Sequence, residues 1–513
     1  MQRWLSIFDP LGKVLAIYAC SMFVPATVGM LRGEPVFVLG EGGVDKYFIA
    51  GTLVLALGLL LARIGRGHAH YLQARQAFML VLLIWIFLPM IGAIPLYDFT
   101  VSFSQAYFEA VSGMTASGAT VLSDIDSLPT SAMLWRGLIS WMGGMGLIVL
   151  AVAILPHLGV GGRQLFKNEM PGPIKEQELS PQIAETAKGL WLVYFGLTLA
   201  CAFCYWLGGM TPLDAVVHAC TTLSLGGFSN HDASFAYFDS PLIEGIAVFF
   251  MIVAGMNFAT HYSFARAAKS RIPGRSSGRW PGAPRVRRMF AVYQSDFECK
   301  AYLTTLLAGI AVVILVLTVA SHYPDIGSTI RYSIFNTVSI ATTTGYSSAD
   351  FGAWPLAAPL FILLLANFTS CGGSTGGGVK MMRAITVVKV AQFEQIKLLH
   401  SHASQNIKIG QRILPDSIVA SILFFLLAYV ASIIAFTLLF VLTEPQFAGD
   451  LLTPFSAAAA LISNTGPGLG AVGPAATYGG LSEAGTWLGA LAMLLGRLEL
   501  LLFLLLFRRE MWS

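Results

Sequence analysis

Charged residues are scarce in this chain. Asp, Glu, Lys and Arg make up only 11% of the 513 residues, apolar residues make up 56%, and the mean hydropathy is +0.70. Soluble domains carry about 25% charged residues, so a soluble enzyme of this length is excluded. Disorder is excluded too, because disordered segments have low hydropathy. The composition therefore predicts a polytopic α-helical membrane protein.

Cysteine and net charge are also low. The six cysteines are scattered through mostly apolar stretches, which excludes a disulfide framework. Cys201 and Cys204 form a CxxC pair inside an apolar run without a second pair, and small hydrophobic residues are the favoured interpretation. The formal net charge of +4 is too small to indicate nucleic acid as a partner. Glycine, by contrast, is abundant at 52 residues, more than a plain bundle of lipid-facing helices needs.

Ten apolar segments are long enough to cross a bilayer. A helix needs about 20 apolar residues to cross a hydrocarbon core of about 30 Å. Nine candidate spans are continuous, and the tenth, 357–399, is interrupted near its middle by glycines. The continuous candidates are 12–32, 46–63, 76–97, 134–156, 187–208, 241–265, 301–320, 415–443 and 485–507.

The basic residues lie on one side of these spans. Five segments hold 24 of the 31 Lys and Arg residues, whereas the four segments on the other side hold one, Arg331, and twelve acids. The positive-inside rule places the first group, and both termini, in the cytoplasm. The most basic segment, 263–300, is either a topology signal that touches lipid headgroups or a docking surface for a cytoplasmic partner. The basic segments are 63–75, 157–188, 263–300, 380–412 and 508–513.

The four acidic outer segments contain an internal repeat. Each has 10–15 residues of helical character, too short to span, followed by a polar turn with a glycine, and the four glycines align at separations of 109, 118 and 121 residues. The repeating unit is a span, a short re-entrant helix, a glycine turn and a second span. Two further spans precede the first unit. The aligned glycines are Gly118, Gly227, Gly345 and Gly466.

The turn chemistry indicates a cation path. Re-entrant backbone is tolerated only where it lines a water-filled cavity or is buried in protein, and backbone carbonyls can replace the water around a cation. Glycine accepts the backbone angles that such a turn needs, and each short helix would aim its partly negative C-terminus at the pore. The turns contain no carboxylate, so a monovalent cation is favoured. Ordinary extracellular loops are the alternative, but four copies in register on one face argue against them.

Several strings resemble the TrkH/KtrB superfamily of bacterial potassium-uptake proteins, and the TrkH family more closely. Together with the spans they cover nearly the whole chain. The strings are WMGGMGLIVLAVAILP from Trp141, IAETAK from Ile183, SLGGFSNHDAS from Ser224, ATTTGY from Ala341, CGGSTGGGVK from Cys371 and SNTGPGLG from Ser463.

The resemblance implies a specific fold. It would be an all-α polytopic membrane protein in which four M1–P–M2 repeats surround a pseudo-fourfold pore, with two additional N-terminal spans. The expected divisions are residues 1–75 for the two N-terminal helices, 76–180, 181–290, 291–412 with a broken M2, and 413–513 for the repeats. The resemblance also implies a homodimer in the bacterial inner membrane, embedded in the lipid bilayer, with a TrkA-type cytoplasmic regulatory ring that binds nucleotide.

The resemblance further implies a potassium filter built from three residues of each turn. This chain has Thr-Ala-Ser-Gly in the first turn where Thr-Thr-Thr-Gly is commoner, and its second turn has no hydroxyl, so the filter is expected to be less regular than that of a homotetrameric channel. The implied K+ ligands are Ala116, Ser117, Gly118, Leu225, Gly226, Gly227, Thr343, Thr344, Gly345, Asn464, Thr465 and Gly466.

A cluster of glycines interrupts the tenth span. Five glycines fall between Gly372 and Gly378, and glycine costs about 1 kcal/mol per residue inside a helix, so an irregular loop at membrane depth is expected. In the resembled family this segment is the gating loop, and a packing kink is the alternative. Arg497 in the last span would lie beneath the filter, where it would repel cations and tether the loop, unless it pairs with Glu499. The implied gating residues are Gly372, Gly373, Gly376, Gly377, Gly378, Lys380 and Arg497.

Other functions fit the sequence less well. A Na+- or H+-coupled transporter of another solute would be expected to show inverted repeats, whereas these four repeats run parallel. No catalytic constellation indicates an enzyme. GGSTGGGVK lacks the Gly-Lys-Ser/Thr of a phosphate loop, so a nucleotide would act on a partner.

Overall fold

The structure is a computed structural model that describes residues 2–36, 43–66, 74–154, 182–269, 285–400, 407–409 and 412–498. These residues form seventeen α-helices and one two-residue antiparallel strand pair, β1 (Lys408–Ile409) with β2 (Arg412–Ile413). The helices are α1 (Phe8–Leu31), α2 (Asp45–Gly65), α3 (Ala74–Gly92), α4 (Phe103–Thr115), α5 (Thr130–Ile154), α6 (Gln182–Leu207), α7 (Pro212–Leu223), α8 (Pro241–Ala254), α9 (Phe258–Lys269), α10 (Arg285–Ser295), α11 (Phe297–Val319), α12 (Ile326–Ala341), α13 (Ala357–Ala366), α14 (Met381–Leu399), α15 (Asp416–Thr443), α16 (Leu452–Ser463) and α17 (Glu483–Arg497).

Six continuous helical segments within the described ranges are long and apolar enough to cross a membrane. Their outer faces carry large exposed apolar side chains, such as Leu53 on α2 and Leu427 on α15, as lipid contact requires. The six segments are Leu5–Leu31, Asp45–Gly65, Arg75–Gly92, Lys188–Leu207, Phe297–Val319 and Asp416–Thr443.

The predicted continuous span 241–265 is wrong. The structure divides it into α8 and α9, which meet at an angle of 93°. The Asn257 side chain accepts the backbone N–H of Ala259 at 2.8 Å and so starts a new helix. The backbone polar groups freed at the break also bond to a neighbouring loop described below, which compensates for the lost helical hydrogen bonds.

The M1–P–M2 repeat is confirmed. A short helix of 12 to 16 residues lies between longer elements four times, as α4, α7, α12 and α16. Polar residues set where these pore helices begin, because an N-cap oxygen satisfies an unpaired N–H of the first turn. Thr211 accepts the N–H of Asp214 at 3.2 Å, and Asp325 accepts that of Ser328 at 2.8 Å.

The repeats close into a ring around the pore helices. The second long element of each repeat packs against the pore helix of the next repeat: α5 on α7, α8 on α12, α13 on α16, and α17 back on α4. The first two helices lie outside this ring, where α1 packs against α2 and α5. The pore helices are consequently buried in their C-terminal halves although they are too short to span.

Candidate ion filter and intramembrane loop

The four turns after the pore helices share one backbone conformation. The first and third residue of each predicted filter triplet have positive φ, and the first of these is not a glycine in any repeat. Non-glycine residues are rare in this region of φ/ψ space and are strained there. The φ angles of the first residues are 53° (Ala116), 55° (Leu225), 62° (Thr343) and 54° (Asn464), and those of the glycines are 81° (Gly118), 63° (Gly227), 90° (Gly345) and 93° (Gly466).

A repeated helix cap explains these angles. In a Schellman cap the residue after the helix end turns left-handed, and the next N–H reaches back to a carbonyl five residues earlier. All four turns make this bond, at 2.8 to 2.9 Å, so the backbone enters each turn in the same way. The bonds run from the N–H of Ser117, Gly226, Thr344 and Thr465 to the carbonyls of Ser112, Thr221, Ser339 and Ala460.

The four filter glycines form a closed ring. A Cβ atom added to any one of them would lie within 3.0 Å of the carbonyl oxygen that precedes the glycine of the next turn. Each turn therefore packs backbone to backbone on its neighbour, in chain order and with the fourth turn on the first. The contacts are Gly118 with Gly226, Gly227 with Thr344, Gly345 with Thr465, and Gly466 with Ser117.

This ring brings all twelve predicted filter residues together. The turns supply backbone carbonyls and a few buried hydroxyls, as where the Thr342 and Thr344 side chains bond at 2.7 Å. Two tyrosines beside the glycines fix the outer ends: Tyr346 bonds to Thr221 of the second repeat at 2.5 Å, and the Tyr478 hydroxyl donates to the Gly466 carbonyl at 2.9 Å. Neither tyrosine was predicted from the sequence to support the filter. Tyr346 directly follows its glycine, whereas Tyr478 lies 12 residues after Gly466.

The glycine-rich segment of the broken span lies directly against the inner ends of the pore helices. Helix α13 ends at Ala366 and α14 begins at Met381, and the intramembrane loop is residues 367–380 between them. The Gly377 N–H donates to the Thr343 hydroxyl at 2.8 Å, and the Thr375 hydroxyl donates to the Leu223 carbonyl at 3.0 Å. A Cβ atom on Gly377 would collide with the carbonyl of Ser463 at the end of α16. The loop thus touches three of the four pore-helix ends.

The broken second repeat and the third repeat's first helix hold the start of this loop. The Cys371 N–H donates to the Gly255 carbonyl at 3.1 Å, and the Phe258 N–H donates to the Gly373 carbonyl at 3.1 Å. Glu298, buried at the start of α11, accepts the Gly372 N–H at 2.6 Å. The two backbone bonds use the Gly255 carbonyl and the Phe258 N–H, which the α8–α9 break leaves without helical partners.

Arg497 joins three repeats beneath the filter. Its guanidinium donates to the carbonyls of Thr375 in the loop at 3.0 Å and Gly143 in α5 at 3.1 Å. Glu499, the alternative partner considered from the sequence, lies outside the described residues. Lys380, at the end of the loop, takes a positive φ of 72° where α14 begins.

Acidic residues and one histidine meet in and beside the segments after the first two turns, on the side that the charge pattern predicts to be the outer mouth. His231, in the segment after the second turn, donates to Asp126 of the first repeat at 2.5 Å and lies 3.5 Å from Asp214. Partial burial by itself would lower the pKa of His231, but the two carboxylates outweigh it and hold that pKa above its ordinary value. Partial burial by itself would raise the pKa of Asp126, but its bonds to His231 and to the Asp232 N–H together outweigh burial and hold that pKa below its ordinary value.

Known proteins are similar to this chain in sequence and in fold. The TrkH protein of Vibrio parahaemolyticus, named Trk system potassium uptake protein TrkH, is 37% identical over 514 residues, which cover 99% of each chain. The protein of the same name from Escherichia coli K12 is 36% identical, and the TrkG protein of that strain 33% identical, with at least 97% of each chain covered. The crystal structure of the potassium transporter TrkH from Vibrio parahaemolyticus superposes with a TM-score of 0.84 at 34% identity over 99% of both chains.

The length of the family-profile match, together with the sequence identity to these relatives, shows the family. The profile of the TrkH family, described as cation transport protein, matches residues 45–513. This range includes all four turns and the intramembrane loop. The chain belongs to the TrkH family of cation transport proteins.

Proposed function

We propose that this protein takes up potassium across a membrane through the ring of four glycine turns. The observation that carries the proposal is the closed ring itself, in which each filter glycine packs on the carbonyl of the next turn. Relatives over 30% identical along nearly the whole chain are named potassium uptake proteins, which supports K+ as the transported ion.

The chemistry follows from the oxygens that the ring supplies. A potassium ion that enters a narrow pore loses its water, and a ring of carbonyl dipoles replaces it. Residues 116–118, 225–227, 343–345 and 464–466 would present these carbonyls. The C-terminal ends of four pore helices add negative potential below the ring. The acids of the outer segments would raise the cation concentration at the mouth.

The intramembrane loop would act as the gate. It lies against the ends of α7, α12 and α16, and Arg497 holds it to α5. A loop in this place obstructs the path below the filter, and the Arg497 charge repels a cation there. Opening requires residues 372–378 to leave these contacts, and Lys380 would be the point at which α14 moves with them.

A cytoplasmic partner would regulate this gate. The basic segments predicted to face the cytoplasm offer a surface for a TrkA-type nucleotide-binding ring, and the family resemblance implies a homodimer in the inner membrane with both termini cytoplasmic. Any effect of nucleotide on transport would then act through the partner, because the sequence lacks the Gly-Lys-Ser/Thr of a phosphate loop.

The decisive experiment is selective uptake by purified protein in proteoliposomes. We expect wild-type protein to take up rubidium, a potassium substitute, in preference to sodium. Gly345→Ser adds a Cβ atom to a residue with positive φ, and this atom would collide with the Thr465 carbonyl oxygen. The substitution should therefore abolish the preference for rubidium. Gly480→Ser is the matched control, since this outer-face glycine has open space around it. An intact rubidium-to-sodium ratio in Gly345→Ser would refute the filter assignment, and uptake of neither ion would favour a transporter of another solute.

A further inference from the structure

A second set of fourfold contacts lies behind the filter ring. Each pore helix carries one polar side chain, nine or ten residues before the filter glycine, that bonds to the backbone leaving the turn. The bonded residue lies two or three positions after the glycine. We call this irregular segment after each glycine the exit strand. Three of the four accept a backbone N–H there. The bonds are Glu109 to the N–H of Val121 (3.0 Å), His218 to the hydroxyl of Ser229 (3.0 Å), Asn336 to the N–H of Ser348 (3.2 Å) and Ser456 to the N–H of Leu469 (2.8 Å).

These four side chains, which we call the filter struts, are completely buried. A buried polar group without a partner is costly, so each strut fixes the distance between its pore helix and the exit strand of the filter. The same position in the four repeats holds four different functional groups: a carboxylate, an imidazole, an amide and a hydroxyl. The position is therefore shared by the repeats, while the strength of the bond differs among them.

The first strut, Glu109, bonds to an oppositely charged side chain. Glu109 accepts from the Nε of Arg136 at 2.9 Å, and the two side chains are 0% and 1% exposed. Arg136 also donates to the Ser229 carbonyl at 2.9 Å and lies 4.3 Å from the centre of the Phe228 ring. One guanidinium thus ties the exit strand of the first turn to that of the second.

The filter triplets of the two turns joined in this way have one hydroxyl between them, that of Ser117, whereas those of the third and fourth turns have three. The first has Ala116 and Ser117, and the second has Leu225 and Gly226, where the third has two threonines. A turn with fewer side-chain hydroxyls depends more on its surroundings to fix the direction of its carbonyls. The Glu109–Arg136 pair suits this purpose because charge-assisted hydrogen bonds are stronger than neutral ones.

We propose that the Glu109–Arg136 pair and the other filter struts are positioning residues that set the ion selectivity of the filter. They touch no ion themselves. They act by holding the exit strands, and thereby the carbonyls of residues 116–118 and 225–227, at the separation that suits a potassium ion. This inference rests on the proposed function of the ring as a potassium filter.

The test removes the pair as a unit. Glu109→Gln combined with Arg136→Met leaves no unpaired buried charge, which a single substitution would. We expect the rubidium-to-sodium uptake ratio in proteoliposomes to fall at least about tenfold, the factor that corresponds to about 1.4 kcal/mol, with the KM for rubidium raised more than the maximal rate is lowered. The matched control is Glu244→Gln with Arg331→Met, an ion pair at 2.8 Å between α8 and α12 whose carboxylate is also buried, at 4% exposed, and which bonds to no exit strand. The control should keep the wild-type ratio.

A smaller variant covers the case in which the double variant fails to fold. Ser456→Ala removes one oxygen, the acceptor of the Leu469 N–H, and should lower the ratio about threefold, a share of the net value of one hydrogen bond. Ser456→Thr keeps the hydroxyl and should restore the ratio. An unchanged ratio in folded Glu109→Gln/Arg136→Met, or in Ser456→Ala if the double variant is unfolded, overturns the proposal. If wild-type protein showed no rubidium preference, the filter function would fail instead, and the two failures are therefore distinguishable.

Discussion

The filter ring and the intramembrane loop are both buried, glycine-rich and in direct contact, yet they are held in different ways. The ring repeats one set of backbone bonds four times and closes on itself, with each glycine against the next turn's carbonyl. The loop occurs once and is held largely by side chains from outside it, among them Glu298 and Thr343 of the same repeat and Arg497 of the fourth.

The difference teaches what each region can do. Moving one filter turn would disturb its two neighbours, because packed backbones leave no free volume. Moving the loop requires breaking a few hydrogen bonds, each with a net value of about 1 kcal/mol or somewhat more when charged. We therefore expect substitutions in the ring to change which ion passes, and substitutions at the loop to change how fast it passes.

The largest effect should come from removing the loop. Deletion of residues 372–377 takes away the segment that touches the ends of α7, α12 and α16, so resting rubidium uptake should rise at least about tenfold, equivalent to a barrier lowered by about 1.4 kcal/mol. The rubidium-to-sodium ratio, measured in the same vesicles, should stay at the wild-type value. Unchanged resting uptake by correctly folded protein would show that the loop is only a packing kink.

Neutralising Arg497 should have the next largest effect. Arg497→Gln removes a positive charge beside the path and weakens the bonds to Thr375 and Gly143, so uptake should rise about threefold to tenfold, in line with the loss of a charge-assisted bond. Arg63→Gln, on the exposed surface of α2, is the matched control and should have no effect. If both variants behaved alike, the barrier role of Arg497 would be ruled out.

A smaller change is expected at the other end of the loop. Glu298→Gln keeps an oxygen that can accept the Gly372 N–H but loses the charge that strengthens the bond, and charged acceptors bind about twice as strongly as neutral ones. Resting uptake should rise about twofold and the ion ratio should not move. Glu298→Ala, which removes the acceptor completely, should raise uptake further; a lower uptake than in Glu298→Gln would contradict the anchoring role.

The smallest effect concerns pH at the outer mouth. The pKa of His231 is raised by Asp214 and Asp126, so its contribution to stability is complete below its ordinary pKa and is lost as the pH rises through the raised value. The Tm of purified wild-type protein should therefore fall about 1 °C more between pH 6 and pH 9 than that of His231→Asn, since exposed ion pairs contribute at most about 1 kcal/mol. Parallel pH profiles for the two proteins would show that the ion pair adds no stability.

Much of the fold could be predicted from the sequence. Hydropathy identified the spans, and four glycine turns in register identified the repeats, because both depend on local composition. The continuous span 241–265 was wrong for a tertiary reason. Its apolar content suits a helix throughout. The break is compensated by the bond from the Cys371 N–H to the Gly255 carbonyl and by the bond from the Phe258 N–H to the Gly373 carbonyl, which local sequence does not reveal.

The candidate site could be predicted in outline only. The glycines indicated left-handed backbone, but the left-handed angles of Ala116, Leu225 and Thr343 run against local preference and persist because helix caps and neighbouring turns impose them. The sequence places Glu109 and His218 in two of the short helices before the turns but does not show which partners they take. Their bonds to the exit strands, and the pairing of Glu109 with Arg136 27 residues away, became visible only in three dimensions.

The sequence by itself determined that this is a membrane protein of four parallel repeats and where glycine interrupts a helix, and it predicts which side of the membrane each segment faces. These properties follow from transfer free energies and backbone preferences, which each residue carries with it. The tertiary structure alone decided that the four turns close into one ring, that the loop lies beneath it, and that a buried ion pair joins two of its turns. Those features depend on contacts between residues from 27 to 354 positions apart in the chain, and such contacts exist only once the chain is packed.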